Sequence, residues 1–327
     1  MILVTGGAGF IGSNIVAALT AAGQPVAVCD RLRRGDKWRN LARVTLRELV
    51  PPETLWEWLP AHATRIDSIV HMGAISSTTE TDADLIAAVN FRLPQMLWQW
   101  CAAAGKRLLY ASSAATYGAG EHGFDDDSSP AALAQLRPLN AYGWSKHLFD
   151  RWVMQTLERG EPRPPQWVGL KFFNVYGPNE YHKGTMRSVI AQKYPLVARA
   201  APVTLFRSHR ADVPDGGQQR DFIYVRDCVA VVQWLLANPE INGLFNLGSG
   251  RARSFAELAQ ALAAALERPL QLEYIDTPPA VRAHYQYFTE ARMERLRALG
   301  YTRPFTSLEE GVRDYVQRYL SQPDPYL

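Results

Sequence analysis

An apolar strand followed at once by a glycine-rich turn and a helical pattern constrains the fold of this chain most strongly. Residues 1–5 (MILVT) form an apolar run of strand length, and the apolar residues from 10 to 22 have helical spacing. The glycines between and inside these elements are Gly6, Gly7, Gly9 and Gly12. Glycines here allow a tight turn and a close approach of the backbone to a pyrophosphate. The segment predicts a parallel α/β sheet that binds a dinucleotide at the N-terminus of its first helix.

The residues at the end of the second predicted strand indicate which dinucleotide, NAD or NADP, the chain binds. PVAVCD ends in Asp30, 18 residues after Gly12, and an acidic residue there typically accepts hydrogen bonds from the ribose of NAD. Arg31 and Lys37 belong to a basic run directly after this strand, which could clamp the 2′-phosphate of NADP. A solvated basic loop is the alternative interpretation. The run favours NADP, with NAD as the other candidate.

Three further polar residues have the order and spacing of a redox catalytic set. Ser113 follows an apolar strand in LLYASSAATYG, and Tyr142 and Lys146 lie four residues apart in NAYGWSKHLFD. On a helix these two share one face, so the Lys146 ammonium is expected to lower the pKa of the Tyr142 phenol. An isolated YxxxK is more often a half-buried ring and a solvated charge. The order of the three segments nevertheless indicates oxidation and reduction on a bound nicotinamide.

The alternation of elements predicts an α/β fold, a Rossmann-type doubly wound parallel sheet with a smaller, discontinuous α/β substrate-binding domain. A length of 327 residues agrees with about two domains. Strands are predicted at 1–5, 25–30, 67–72, 107–112 and 166–172, and helices near 10–22, 52–63, 82–104 and 140–159. We assign residues 1–173 plus about 221–253 to an NADP-binding domain, and about 174–220 plus 254–327 to substrate binding.

Composition narrows the class of protein. Apolar runs stay well short of the ~18 residues of a membrane span, and no export signal opens the sequence, so we expect a cytoplasmic protein. A net charge of +3 argues against nucleic acid as a partner. The cysteines are isolated and no histidines have metal-ligand spacing, so no metal site is expected. Residues 207–219 and the segment after Ser321 look mobile.

Several segments resemble a known family over essentially the whole chain. TGGAGFIG, NAYGWSKHLFD, KFFNVYGP and RDFIYVRD are similar to the extended short-chain dehydrogenase/reductase superfamily of nucleotide-sugar enzymes. More narrowly, GAISSTTE (73–80), YASSAATYG (110–118), FFNVYGPNEYHKG (172–184) and YQYFTEARMERLRALGY (285–301) resemble the ADP-L-glycero-D-manno-heptose 6-epimerase family. SSTTE and NEYHKG are the specific pieces of this resemblance.

The resemblance implies an isomerase that inverts C6 of ADP-D-glycero-D-manno-heptose through a transient 6-keto sugar on tightly bound NADP, supplying heptose for the lipopolysaccharide core. No carbonyl acidifies the C6 hydrogen, so oxidation must come first. Inversion then turns the carbonyl oxygen away from Tyr142 and requires a second acid/base, for which the family motif supplies Lys183. Loop lysines are usually solvated. This chain, however, prefers arginine, which cannot release a proton.

The resemblance also implies binding residues and self-association into a homo-oligomer, with a pentamer as one candidate form. Its cofactor-binding positions are Gly6, Gly7, Gly9, Phe10, Ile11, Gly12, Asp30, Arg31, Lys37, Met72, Gly73, Ala74, Ile75, Ser76, Asn90, Lys146 and Val175. Its substrate positions are Asn174, Thr185, Gln192, Phe206, Arg207, Ser208, His209, Arg220 and Tyr285. Phe206 and Tyr285 suit stacking, with core packing as the alternative, and Arg220 suits a diphosphate.

Two other functions remain open. A UDP-hexose 4-epimerase or a related nucleotide-sugar reductase would use the same Ser113, Tyr142 and Lys146. A hexose ring can turn over as a whole, so one tyrosine serves both faces and no second acid/base is needed. The presence of Lys183 therefore discriminates between the 6-epimerase and the 4-epimerase. A catalytically silent dinucleotide-binding scaffold would not need an intact set of these residues. A dehydratase is disfavoured because SAATYG lacks the Asp-Glu pair that eliminates water.

Overall fold

The computed structural model describes residues 1–282 and 285–327. In chain order its strands are Ile2–Thr5 (β1), Val26–Cys29 (β2), Glu48–Val50 (β3), Ser68–His71 (β4), Arg107–Ser113 (β5), Trp167–Phe172 (β6), Asn174–Tyr176 (β7), Val203–Phe206 (β8), Gln219–Tyr224 (β9), Gly243–Leu247 (β10), Ala252–Ser254 (β11) and Leu272–Ile275 (β12). Its α-helices are Phe10–Ala21 (α1), Leu55–Ala61 (α2), Ala83–Ala87 (α3), Leu93–Ala104 (α4), Pro130–Gln135 (α5), Ala141–Glu158 (α6), Val189–Ala198 (α7), Val225–Ala237 (α8), Phe255–Leu266 (α9), Pro279–Arg282 (α10), Glu294–Ala298 (α11) and Leu308–Tyr315 (α12). Short 3-10 helices cover Asp36–Leu41, Pro52–Thr54, Ala114–Tyr117 and Tyr181–Met186, and π-helical turns cover Ala88–Arg92 and Val316–Leu320.

A seven-stranded sheet in the order β10-β6-β5-β4-β1-β2-β3 forms the centre of the protein. Every neighbouring pair in it is parallel. Successive side chains of β1 point to opposite faces, where Leu3 joins the core under α4 and α6, and Val4 joins the core under α1 and α8. Helices therefore cover both faces, as a parallel sheet requires. The predicted Rossmann-type fold is confirmed.

The predicted strands and helices of the first half are present, with two differences. The short edge strand β3 escaped prediction because only Val50 of its three residues is buried. The predicted helix at 82–104 is interrupted by the π-helical turn Ala88–Arg92, directly before α4. Pro94 lies in the first turn of α4, and because it has no N–H to donate to the preceding turn, the regular α-helical pattern is broken there.

Two smaller sheets lie beside the central one, in the orders β11-β9-β7 and β12-β8. Together with α7, α9 and α12 they enclose a separate apolar core around Tyr176, Leu262 and Tyr315. This arrangement matches the expectation of a smaller second region, whereas the exact domain boundaries stay a prediction. In the part of the chain that the structure describes, no helix has the length and apolarity to cross a bilayer.

The two segments expected to be mobile are both held by contacts. In the first, Ser208 N–H donates to Asp215 at 2.8 Å and His209 N–H donates to the Tyr287 hydroxyl at 2.7 Å. In the second, Tyr326 is buried at 7% exposure. Both segments thus have specific partners that polar composition did not reveal, while their mobility stays a prediction.

Candidate active site

The glycine loop between β1 and α1 forms a cradle with no room for side chains. Gly6 has φ +67°, and a Cβ on it would lie 2.5 Å from the Gly73 backbone nitrogen. A Cβ on Gly12 would collide with the Gly6 carbonyl oxygen. α1 begins after Gly9 with no side-chain cap and no acidic residue in its first turn. The first N–H groups of the helix, from Phe10 onwards, are thus free to bind an anion, and the loop fits the diphosphate of a dinucleotide.

Asp30 directly follows β2, beside this loop, and is already paired with a lysine. Its Oδ2 accepts a hydrogen bond from Ala8 N at 2.9 Å, and its Oδ1 accepts one from Lys37 Nζ at 2.6 Å. Arg31 forms an exposed ion pair with Glu53 at 2.8 Å. The structure therefore brings Lys37 to the end of β2 as predicted, whereas the guanidinium of Arg31 is engaged elsewhere on the surface.

The N-terminal half of α6 lies on the carboxyl end of β5 and brings the three residues of the predicted catalytic set together. Lys146 is buried and its Nζ donates to the Ala111 carbonyl oxygen at 2.8 Å. Gly143 allows this approach, since a Cβ there would lie 2.6 Å from the Ala115 carbonyl oxygen. Ser113, the last residue of β5, is close enough to Tyr142 for its hydroxyl to stabilise the phenolate. All three predicted residues thus meet at the strand end.

The predicted effect of Lys146 on Tyr142 is wrong in this structure. Burial raises the pKa of Tyr142, the nearby Ser113 hydroxyl lowers it, and Asp150 raises it. Burial also lowers the pKa of Lys146 to about 8, against the attraction of Asp150. Spacing alone could not reveal this result, because it predicts a shared helix face but not the loss of water around both groups. Burial therefore outweighs the other effects, and the Ser113 hydroxyl, not Lys146, is the group that lowers the pKa of Tyr142.

Asn90 connects the end of β4 to α6. Its Oδ1 accepts from Ile75 N at 2.9 Å, and its Nδ2 donates to Ile75 O at 2.9 Å and to Ser145 Oγ at 3.1 Å. Ser145 Oγ in turn donates to Tyr142 O at 2.7 Å. Asn90 thus fixes the segment Met72–Ser76, which was predicted to pass the cofactor, against the helix that carries Tyr142. Direct contact of Asn90 with a cofactor stays a prediction.

A buried ion pair near Ser113 and Lys146 was not predicted. Lys171 on β6 and Asp150 on α6 are almost fully buried, with Nζ and Oδ2 3.1 Å apart. Ser112 Oγ donates to the same Oδ2 at 2.6 Å, and Lys171 Nζ donates to Thr116 Oγ1 at 2.7 Å. Removing one partner of such a pair typically costs about 3–5 kcal/mol. The signal was present in the sequence, since a lysine inside an apolar strand needs a buried partner.

Lys183 lies in the 3-10 helix Tyr181–Met186, next to the glycine loop. Its Nζ is 5.5 Å from the centre of the Phe10 ring, and its side chain is half-buried. Burial lowers its pKa, while Glu180 raises it. This segment follows β6 and β7, yet Asn14 of α1 donates to the Pro178 carbonyl oxygen at 2.9 Å. After β7 the chain therefore passes back to α1, and Lys183 lies beside the glycine loop at the start of that helix.

The predicted substrate residues fall into two groups. Phe206, Arg220 and Tyr285 form one cluster, in which the Phe206 and Tyr285 rings meet edge to face at 6.2 Å and the Arg220 guanidinium lies 5.3 Å from the Tyr285 ring centre. Arg220 is 8% exposed, and burial lowers its pKa. The exposed loop residues Arg207 and His209 lie beside this cluster, with the half-buried Ser208 between them.

The second group comprises Asn174, Thr185 and Gln192, and two of its members, Thr185 and Gln192, belong to or contact the segment that carries Lys183. Asn174 is the first residue of β7 and precedes Val175, which was predicted to contact the cofactor. Thr185 is exposed in the same 3-10 helix as Lys183. Gln192 is also exposed, and its Nε2 donates to the carbonyl oxygens of Thr185 at 3.0 Å and Arg187 at 2.7 Å. Gln192 therefore supports the loop rather than presenting a free amide. Its contact with substrate, like that of the other eight predicted residues, stays a prediction.

Comparison with models of known protein families identifies the family of this chain. The model described as the NAD dependent epimerase/dehydratase family matches residues 2–248. The chain belongs to this family. An ADP-L-glycero-D-manno-heptose-6-epimerase of Fusobacterium nucleatum subsp. nucleatum is 45% identical to it, with 100% of both sequences covered. One of Nitratidesulfovibrio vulgaris (strain DP4) is 48% identical, again with 100% of both covered. The resemblance predicted from short segments is thus confirmed over the full length.

Solved structures agree with the fold. The crystal structure of Helicobacter pylori ADP-L-glycero-D-manno-heptose-6-epimerase is similar with a TM-score of 0.80 and 28% identity, covering 97% of this chain and 95% of that one. Thermus thermophilus UDP-glucose 4-epimerase in complex with NAD has a TM-score of 0.74 and 28% identity, covering 96% and 97%. Since epimerases of both kinds share this fold, the fold alone does not select the substrate.

Proposed function

We propose that this family member interconverts ADP-D-glycero-D-manno-heptose and ADP-L-glycero-D-manno-heptose by inverting C6 through a transient 6-keto sugar. One observation carries the proposal: a second lysine, Lys183, lies at the cofactor cradle of a chain that also has the complete set of Ser113, Tyr142 and Lys146. Full-length relatives named as heptose 6-epimerases support the same substrate.

Tyr142 and Ser113 act on the oxygen of the sugar hydroxyl. Ser113 donates a hydrogen bond to that oxygen, and Tyr142 exchanges a proton with it as the hydroxyl becomes a carbonyl. A bound nicotinamide dinucleotide would accept the C6 hydride and return it to the opposite face. The buried Lys146 ammonium, held at the Ala111 carbonyl oxygen, adds positive charge at the strand end where the dinucleotide is expected.

Lys183 serves the other orientation of the carbonyl oxygen. Because burial lowers the pKa of this lysine, it gives up and takes back a proton more readily near neutral pH than a solvated lysine does. An arginine at the same place could not perform this exchange. Tyr142 and Lys183 thus act as the two acid/base groups that inversion at an exocyclic carbon requires.

Turnover of two nucleotide sugars tests the substrate directly. Purified holoenzyme is incubated separately with ADP-D-glycero-D-manno-heptose and with UDP-galactose, and the products are assigned by NMR. We expect epimerisation of the heptose and no conversion of UDP-galactose beyond that of the Tyr142→Phe variant. Conversion of UDP-galactose alone would support the UDP-hexose 4-epimerase, the alternative reading.

We further propose NADP as the preferred dinucleotide. An Asp30 carboxylate without a partner would repel a 2′-phosphate, but here Lys37 neutralises it at 2.6 Å. Arg33 and Arg34 follow in the same exposed loop, and among the described residues neither forms an ion pair. This loop can therefore offer positive charge to a phosphate despite the acidic residue at its start.

The preference makes a prediction for binding. Replacing Arg31 and Lys37 together by alanine should weaken NADP by about 10-fold or more, since each charge-assisted hydrogen bond contributes about 1.5–3 kcal/mol, and should weaken NAD much less. Lys37 is expected to cause most of the loss, because Arg31 is held by Glu53. Arg159→Ala, at the far end of α6, is the matched control. Equal losses for both dinucleotides, or tighter binding of NAD by the unaltered protein, would contradict the preference.

A further inference from the structure

The segment after α12 packs on the two loops that carry Lys37 and Lys183. On one side, Asp324 accepts from Arg39 Nη2 at 3.1 Å and from Arg43 Nη2 at 2.7 Å. Arg43 also donates to the Tyr326 carbonyl oxygen at 3.0 Å, and the Arg39 guanidinium lies 4.4 Å from the centre of the Tyr326 ring. Asp324 and Tyr326 therefore contact the 3-10 helix Asp36–Leu41, which contains Lys37, through Arg39.

The same segment holds the Lys183 loop on its other side. The Tyr181 hydroxyl donates to the Pro325 carbonyl oxygen at 2.9 Å, and the rings of Tyr181 and Tyr326 meet edge to face at 5.2 Å. Leu327 N–H donates to Asn179 Oδ1 at 3.0 Å. Tyr181 and Lys183 belong to one 3-10 helix, so contacts to Tyr181 act on the backbone that carries Lys183.

A buried asparagine joins the two loops beneath this segment. Asn40 Nδ2 lies 2.9 Å from the Ala8 carbonyl oxygen, 3.1 Å from the Asn179 carbonyl oxygen and 3.2 Å from His182 Nδ1. Asn179 Nδ2 donates to Ser13 Oγ of α1 at 3.0 Å. The glycine loop, the Lys37 loop and the Lys183 loop are thus one hydrogen-bonded unit, with Tyr326 packed over it.

We propose that Asp324 and Tyr326 are positioning residues that couple dinucleotide binding to the placement of Lys183. The inference rests on the proposed function, in which Lys183 exchanges a proton with the sugar. The ion pairs of Asp324 are 37–55% exposed on the arginine side and 43% exposed on the aspartate side, so they add little to stability. Their specific consequence is geometric, since one short segment fixes both loops against each other.

The ring of Tyr326 gives a matched pair of variants. Tyr326→Ala removes the ring and its contacts with Arg39 and Tyr181. Tyr326→Phe keeps the ring and both contacts, and loses only a hydroxyl that has no hydrogen-bond partner in the described part of the chain. Asp324→Ala is the second variant, because it acts at the surface and leaves the packed ring intact. Thermal unfolding of each holoenzyme controls for loss of fold.

Two measurements follow on these holoenzymes. We expect Tyr326→Ala and Asp324→Ala to release NADP faster than the unaltered protein. At saturating NADP, rapid mixing with each C6 epimer reports the appearance of reduced nicotinamide. With Tyr326→Ala, oxidation should slow by about 10–100-fold for the epimer that Lys183→Met fails to oxidise, because a misplacement of ~1 Å costs about 10²-fold. The other epimer should react nearly as before, and Tyr326→Phe should match the unaltered protein in both measurements.

The outcomes separate this proposal from the proposed function. Equal slowing of both epimers by Tyr326→Ala would show a merely structural role, and unchanged release and oxidation would show no role; either result overturns the coupling. Failure of the unaltered protein to oxidise either heptose overturns the proposed function instead. In that case unchanged NADP release from Tyr326→Ala still overturns the coupling of the loops, and faster release supports it.

Discussion

Replacement of Lys183 by methionine, or of Tyr142 by phenylalanine, is expected to stop net epimerisation while the dinucleotide stays bound. Loss of a positioned acid/base typically lowers a rate by about 10²- to 10⁴-fold, and inversion needs both groups in every cycle. The measurement is the rate of conversion of ADP-heptose in either direction, together with the NADP retained on the purified variants. Both changes remove a proton-transferring atom and keep most of the side-chain volume.

The two variants should also fail in opposite ways. If each group serves one orientation of the carbonyl, Tyr142→Phe keeps the oxidation of one epimer and Lys183→Met keeps that of the other. Lys146→Met is the contrasting variant, since its buried ammonium lies at the strand end and its loss should weaken dinucleotide binding as well. Near-native epimerisation by Lys183→Met would contradict the account and favour an epimerase with one base.

The sequence predicts those parts of the site that local backbone geometry determines. The glycines of the first loop are required by close approaches of the backbone, which their spacing already indicates. The placement of Ser113, Tyr142 and Lys146 at one strand end follows from the parallel sheet and from helical spacing. Residues four apart on a helix, or last on adjacent parallel strands, meet in any such fold.

Features that depend on burial or on distant contacts could not be predicted in this way. The pKa of Tyr142 is raised because the fold removes water from it, which spacing does not show. The pairing of Lys171 with Asp150 joins β6 to α6. Both residues lie within segments that resemble the family, but the sequence of neither segment shows that the two side chains meet. The polar segment after Ser321 suggests mobility, yet Asp324 and Tyr326 find partners more than 140 residues away.

The loop with Lys183 shows how sequence and structure complement each other. The resemblance of the segment NEYHKG to the family indicates a role for this lysine, whereas the composition of the segment alone predicts a solvated loop. The structure adds that Glu180 is fully buried, accepts from Ser188 Oγ at 2.7 Å and from the Tyr315 hydroxyl at 3.0 Å, and thereby anchors the loop. Lys183 is therefore carried by a fixed backbone, as positioned proton transfer requires.

The origin of the hydrogen at C6 tests the central claim most directly. The proposed reaction removes this hydrogen as a hydride and returns it without exchange with solvent, since only oxygen-bound protons pass through Tyr142 and Lys183. Epimerisation of ADP-D-glycero-D-manno-heptose is therefore run to equilibrium in deuterated water, and the product is analysed by NMR and mass spectrometry. The account predicts a product without solvent deuterium at C6. Stoichiometric deuterium at that carbon would demonstrate direct proton abstraction and contradict the account.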